Sequence, residues 1–201
     1  MDIRRDFYLE KLIKRKSNGL IKVITGIRRC GKSYLLNNIF YHHLLDSGVE
    51  ADHIIRFAFD SADDLYLIGE SLIQIEKEKR GADPEKFMAY IRSKTTGEGI
   101  YYLLLDEIQM LDCFEAVLNG YLRKENIDVF VTGSNAKLLS KDIATEFAGR
   151  GDEIHMYPLS FAEFMSVYNG DKYTGLSEYM LYGGIPLVVL RDGAGDKATA
   201  L

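Results

Sequence analysis

Apolar residues recur along the chain at two spacings, and the switches between them divide it into elements. Ile3, Phe7, Leu9, Leu12 and Ile13 stand among Arg and Lys at a spacing that predicts an amphipathic helix ending near 17–19. LIKVIT at 20–25 is a short β-rich run, after which Leu35, Leu36, Ile39, Phe40 and Leu44 repeat at helical spacing over 33–45. HIIRFAF at 53–59 reads as a second strand ending at Asp60, with helical stretches expected at 62–80 and 84–94 on either side of GADP. IYYLLLDE at 100–107 is apolar almost throughout, as befits a strand buried on both faces of a parallel sheet. A helix near 112–124, a strand in IDVFVTGSN at 127–135, a further helix and a fifth strand in DEIHMYPL at 152–159 follow. Strands separated by helices predict βα crossovers and a three-layer α/β/α domain.

Past Pro158 the pattern changes, with SFAEFMSVY and GLSEYMLYG reading as short helices before GGIPLVVL. The expected organisation is a core with its N-terminal helix over 1–159 and a helical, lid-like appendage over 160–201. That appendage stops soon after the apolar run at 185–190, so the chain reads as a fragment of a longer protein.

Composition narrows the partners more than the fold. With 201 residues, 47% of them hydrophobic and 27% charged, the chain can bury a core, which excludes disorder as its general state. A net charge of −5 and the absence of a basic stripe with interleaved aromatics give no support to a nucleic-acid surface. No apolar run approaches the roughly 18 residues of a membrane span, and the basic opening lacks the apolar region of a signal peptide, so a cytoplasmic protein without membrane contact is expected. Cys30 and Cys113 have neither zinc-ligand spacing nor the look of a disulfide framework, and His42 and His43 read as helix-end polar residues.

GIRRCGKS at 26–33 fits GxxxxGK[ST] through Gly26, Gly31, Lys32 and Ser33. Glycines at these positions let backbone N–H groups curl around phosphate oxygens, and the following helix turns its positive N-terminus to the same charge. Lys32 would reach the β- and γ-phosphates and Ser33 would ligate Mg²⁺. The motif lies between a predicted strand and a predicted helix, the context it needs. The candidate nucleotide-binding set is therefore Gly26, Ile27, Arg28, Arg29, Cys30, Gly31, Lys32, Ser33 and Tyr34. Arg28 and Arg29 fill variable positions, either as solvated loop charges or as phosphate contacts.

Binding alone does not imply hydrolysis, and the feature that does is YYLLLDE, an apolar strand ending in Asp106 and Glu107. Strand C-termini face the ligand crevice in such sheets. Asp106 fits the metal-holding acid of a Walker B strand, and Glu107 the base that polarises a water for in-line attack on the γ-phosphate. The same DE ending argues against a small-molecule kinase.

A catalytic Glu beside the Walker B Asp resembles the branch of P-loop ATPases that includes AAA+ proteins, helicases and ABC ATPases. That resemblance implies the strand order 5-1-4-3-2. It also implies a polar sensor beside the γ-phosphate at Ser134 or Asn135 in VTGSN, where a helix N-cap is the plainer role. Taken together, VITGIRRCGKSYLL, LLLDEIQ, FVTGSNAKLLS and EFAGRGDEIHMYPLSFAEF resemble the AAA-like bacterial and archaeal ATPases of the AAA_14 type, allied to archaeal and STAND ATPases, over roughly 15–190. The resemblance implies an Mg²⁺-dependent ATPase acting on ATP, with Glu107, Lys32 and Arg150 as catalytic residues and Ser33 and Asp106 as metal ligands. Arg150 would be an arginine finger or intersubunit contact, against a structural salt bridge as the alternative, and Pro186 in GGIP would lie near the adenine. A homo-oligomer or a C-terminal domain would be the partner. The competing expectation is a slow-turnover ATP/ADP switch.

Overall fold

The β-rich runs assemble into one five-stranded, all-parallel sheet in the order β2-β3-β4-β1-β5, the implied order read from its other edge. In this computed structural model, which describes residues 3–133 and 149–191, the strands are β1 (Ile21–Gly26), β2 (Ile54–Ala58), β3 (Tyr101–Asp106), β4 (Ile127–Thr132) and β5 (Gly151–Met156). Helix α1 is Asp6–Arg15. Helix α2 starts as an α-helical turn at Lys32–Tyr34, widens into a π-helical stretch at Leu35–Phe40 and returns to α-helix at Tyr41–Asp46. The β2–β3 crossover carries α3 (Ala62–Leu67), α4 (Leu72–Glu78) and α5 (Pro84–Lys94), and α6 (Phe114–Tyr121) joins β3 to β4. Beyond β5 come α7 (Phe161–Met165), α8 (Lys172–Tyr182) and α9 (Pro186–Val189).

Side-chain alternation in the strands separates two apolar layers. Tyr101, Leu103 and Leu105 of β3 face a core that holds Leu65, Ile75, Phe87, Ile91 and Leu118 of the crossover helices. Tyr102 and Leu104 of the same strand face the opposite way, into a core built with Tyr8 and Leu12 of α1 and Leu36, Phe40 and Leu44 of α2. With both faces covered, β3 must be apolar from end to end, and each such side chain contributes about 1.5–3 kcal/mol through burial.

Three element boundaries differ from the periodicity, each for a local reason. The helical stretch expected at 62–80 is two helices, the first capped by Ser61 Oγ, which accepts from the Asp64 N–H at 3.3 Å, and broken at Gly69 with φ +70°. The helix expected from 112 starts only at Phe114, because Cys113 holds φ +50°. The fifth strand stops at Met156, short of 159, before Pro158, which has no N–H to give a ladder. The helix expected between β4 and β5 and the last residues of the chain lie outside the described residues. No helix among the described residues is long and apolar enough to cross a membrane.

A buried ion pair marks the end of the sheet where the strands begin. Lys22 of β1 is fully buried, and its Nζ donates to Asp128 Oδ1 on the neighbouring β4 and to Leu20 O at 2.7 Å. The Ser17 N–H donates to Asp128 Oδ2 at 2.8 Å, fixing the turn between α1 and β1 to the same carboxylate. Burial pulls the Lys22 pKa down, and the Asp128 charge and hydrogen bond oppose it.

Removing one partner leaves the other charge buried and uncompensated, so Asp128→Ala is expected to cost about 3–5 kcal/mol, whereas Lys22→Met with Asp128→Leu should cost far less. Urea unfolding of both variants measures this. Equal losses would show that the ion pair is not what the single substitution disrupts.

Candidate functional site

The segments that follow β1, β2 and β3 and the end of β5 border one cavity, and each brings a different group to it. β1 ends at Gly26 with φ +147°, where a Cβ would stand 2.2 Å from the Met156 carbonyl oxygen of β5, so no side chain fits. The loop then turns through Arg29 at φ +66° and Gly31 at φ +99°, the residue preceding α2. Lys32 is nearly buried in the first turn of that helix, its Nζ donating to the carbonyls of Gly26 at 3.1 Å and Ile27 at 3.0 Å. The loop therefore wraps its own ammonium with two carbonyls.

Asp106 closes β3 as a buried carboxylate whose donors come from other elements. Its Oδ1 accepts from the Thr132 hydroxyl at the end of β4, and its Oδ2 accepts from Asn37 Nδ2 at 3.3 Å. Burial pushes the Asp106 pKa up, the hydrogen bonds from Thr132 and Ser33 oppose that rise, and the Asp60 charge adds to it. Glu107 follows in the left-handed region at φ +51°, which turns the chain sharply off the strand. Its N–H donates to Thr132 Oγ1 at 3.2 Å, and its Oε2 accepts from Gln109 Nε2. One threonine thus ties both acidic residues to β4.

The cavity encloses about 740 Å³, within the range of small-molecule sites. Its lining combines the polar Lys32, Ser33, Asp60 and Glu107 with the apolar Ile3, Met156, Leu159, Pro186 and Leu190. Backbone contact joins two of the lining segments: the Leu159 N–H donates to Gly184 O at 2.7 Å, and a Cβ on Gly184 would stand 2.1 Å from Leu159 O. Tyr179 donates its hydroxyl to Leu159 O at 2.7 Å, which fixes α8 to the same segment.

Of the sequence-derived residues, Arg28, Arg29, Cys30, Gly31, Lys32, Ser33, Tyr34, Glu107 and Pro186 line this one cavity. Asp106 is buried next to it through its hydrogen bond to Ser33. Ile27 is 45% exposed and contributes only its carbonyl, to Lys32. Cys30 is fully buried, and that burial pushes its thiol pKa up. Ser134 and Asn135 lie outside the described residues. Arg150 is not brought to the cavity of its own chain: its carbonyl accepts from the Ile21 N–H at 2.9 Å, at the start of β1, about 17 Å along the strand from the phosphate loop. Its guanidinium is exposed and donates to Asn119 Oδ1 at 3.3 Å.

The periodicity did not single out Thr132, Asn37, Asp60 or Arg5. Thr132 carried a readable signal, a polar residue ending an apolar strand like Asp106 itself. Asn37 carried none, because its approach to Asp106 depends on the π-helical stretch of α2. Arg5 was hidden in a basic cluster. It is 3% exposed, its Nη2 donates to Tyr157 O at 2.6 Å, and its guanidinium lies 4.7 Å over the Tyr8 ring.

Residues 18–165 match the AAA_14 family model, described as an AAA domain. An uncharacterized protein of Haemophilus influenzae is 37% identical over 196 residues, covering 94% of this chain and 45% of that protein. An uncharacterized protein of Methanocaldococcus jannaschii is 31% identical over 217 residues, covering 99% and 42%. The chain spans less than half the length of these curated relatives. A solved Walker-type ATPase of Pyrococcus abyssi superposes with a TM-score of 0.60 at 19% identity, covering 99% of this chain and 71% of that one, a likeness of fold.

Because burial raises the Asp106 pKa above its unfolded value of 3.8, the ionised carboxylate opposes folding at pH 7. That opposition fades as pH falls through the folded-state pKa and is gone below the unfolded one. Asp106→Asn is therefore expected to raise the thermal unfolding midpoint of the ligand-free protein at pH 7, with the gain shrinking towards pH 3.8. A lower midpoint for the variant at pH 7 would show that the hydrogen bonds outweigh burial.

Proposed function

The chain belongs to the AAA_14 family of AAA domains, and from that premise we propose that it binds ATP with Mg²⁺ in the cavity at the strand ends and hydrolyses it. The nucleotide state would be coupled to a conformational change in a partner or a further domain. One observation carries the reading: Lys32, Ser33 and Glu107 line a single cavity while Asp106 is hydrogen-bonded to Ser33 beside it.

Each group has a chemical task in this reading. The loop from Gly26 to Gly31 turns through positive φ and leads into the N-terminus of α2, an arrangement suited to phosphate oxygens. The Lys32 ammonium has three N–H donors, and two of them rest on loop carbonyls, so binding exchanges those carbonyls for β- and γ-phosphate oxygens. The Ser33 hydroxyl and the Asp106 carboxylate form an all-oxygen donor set that fits Mg²⁺. When bound, the ion would neutralise phosphate charge. Glu107 takes the proton of the attacking water, held in direction by its left-handed backbone, Thr132 and Gln109. The apolar lining residues, Pro186 among them, receive the base, and the choice of adenine follows from the family. Helices α7 to α9 act as a lid-like segment, and Arg150 would serve a neighbouring subunit. A slow-turnover switch is the second reading, favoured by Gln109 occupying one oxygen of the Glu107 carboxylate.

Phosphate release and ATP affinity of wild type, Glu107→Gln and Lys32→Ala distinguish the two. Glu107→Gln is expected to lower the rate by about 10²–10⁴-fold while ATP still binds, Lys32→Ala to lose ATP binding, and chelation of Mg²⁺ to stop release in the wild type. Equal rates in wild type and Glu107→Gln would remove Glu107 as the base, and tight ADP binding with negligible wild-type turnover would establish the switch.

A further inference from the structure

β2 is one edge of the sheet, and alternate residues along it turn their main-chain groups away from β3. The Phe59 N–H donates to Asp106 O of β3 at 3.1 Å, whereas the Ala58 N–H turns outward to Asp64 Oδ2 at 2.7 Å. Ile54 and Arg56 share the outward direction of Ala58. At Ala58 the edge is closed, because its carbonyl also accepts from the Ser61 N–H at 3.1 Å, and the Ile54 N–H is taken by Ala51 O. The Ile54 carbonyl and both main-chain groups of Arg56 are left without a partner among the described residues. This stretch lies in a groove of about 560 Å³, lined by β2 and by side chains of α2 and α5. Tyr41 of α2 packs with the core on one face of the sheet and Tyr90 of α5 with the core on the other, so the groove takes in the edge from both faces.

We propose that this edge docks an acidic, extended peptide segment of a partner protein, which pairs with β2 at Arg56 as a short added strand. The open main-chain groups supply the hydrogen bonds of such a strand, and the side chains around the groove select its sequence. The Arg56 guanidinium lies 4.0 Å over the Tyr41 ring and donates through Nη1 to Asn37 O at 3.3 Å, which holds it in the groove on the α2 face. Lys94 of α5, whose Nζ is 5.7 Å from the Tyr90 ring, also lines the groove. Both cations are exposed, and neither forms an ion pair among the described residues. Two carboxylates line the groove as well, but Asp64 is committed to the Ala58 N–H and Asp52 precedes the strand. A peptide residue directly opposite Arg56 projects its side chain to the same face, so a carboxylate there meets the guanidinium. Closure of the edge at Ala58 keeps the pairing short, which suits a peptide better than the continuation of another sheet. The segment is a binding surface separate from the nucleotide cavity and does not depend on that reading.

Anisotropy titration and residue-resolved amide hydrogen exchange, with heptapeptides alternating valine with glutamate or valine with lysine, test this in wild type, Arg56→Ala and Arg56→Glu. Wild type is expected to bind the glutamate peptide about tenfold more tightly than the lysine peptide, and saturation with it should slow exchange of the Arg56 N–H about tenfold. N-methylation of the alternate peptide residues whose N–H groups face β2 should abolish binding, while methylation of the other set leaves it. Arg56→Ala should weaken the glutamate peptide about tenfold, and Arg56→Glu should reverse the preference between the two peptides. The peptide series on wild type needs no variant to fold. Equal binding of both peptides, tolerance of methylation on both sets, or a glutamate peptide that leaves Arg56 exchange unchanged would overturn the assignment. Dimerisation in sedimentation that protects the Arg56 N–H without peptide would assign the edge to a second copy of the chain and overturn it as well.

Discussion

A carboxylate that ends a buried parallel strand must take its hydrogen-bond donors from other elements, and Asp106 takes them from β4 and from two places on α2. This requirement links the rest of the architecture. β4 has to lie between β1 and β3 for Thr132 to stand beside Asp106, and the sheet order provides that. Helix α2 has to pass close enough to β3 for both Ser33 and Asn37 to reach the same carboxylate. The two residues are four positions apart, a spacing normally stacked along one helix face, and the π-helical widening begins between them. With these donors the carboxylate is supported at the sheet end, yet burial still dominates its ionisation.

The sequence made the framework legible because periodicity and motif spacing are local properties. A strand such as β3, covered on both faces, has to be apolar throughout, so Asp106 and Glu107 stand out at its end. The glycines of the phosphate loop mark positions where backbone passes against backbone, as the Met156 carbonyl does at Gly26. What escaped the sequence depends on contacts between distant segments. Asn37 looks like any polar residue of an amphipathic helix until the helix widens, and Thr132 is identified only once β4 is known to pair with β3. Arg150 shows the converse: motif position alone could not tell that its backbone pairs with the start of β1, at the far end of the sheet from the loop.

The cavity is lined by segments that are far apart in sequence. Some of its residues follow β1 and β3 or start α2, all within the segment that matches the family model. Others come from near the beginning of the chain, Ile3 and Arg5, and from after β5, Leu159, Pro186 and Leu190, separated by more than a hundred positions in sequence. Tyr8 joins them, its hydroxyl accepting from the Tyr157 N–H at 3.0 Å while its ring supports Arg5. The Ser160–Glu163 capping box that starts α7 meets the same arginine through Glu163. Helix α1 thereby steadies Arg5, which lines the cavity, as well as covering the sheet.

Lys32 is 6% exposed and stripped of most of its water by the fold, with the Gly26 and Ile27 carbonyls standing in for part of the hydration shell. Dehydrating an ammonium is among the most unfavourable steps in bringing charges together. Here that step is taken during folding instead of during encounter with an anion. The loss thereby belongs to the folding equilibrium and not to any association equilibrium: the folded chain carries it permanently, and under the proposed function a polyphosphate would meet a cation whose water has largely gone.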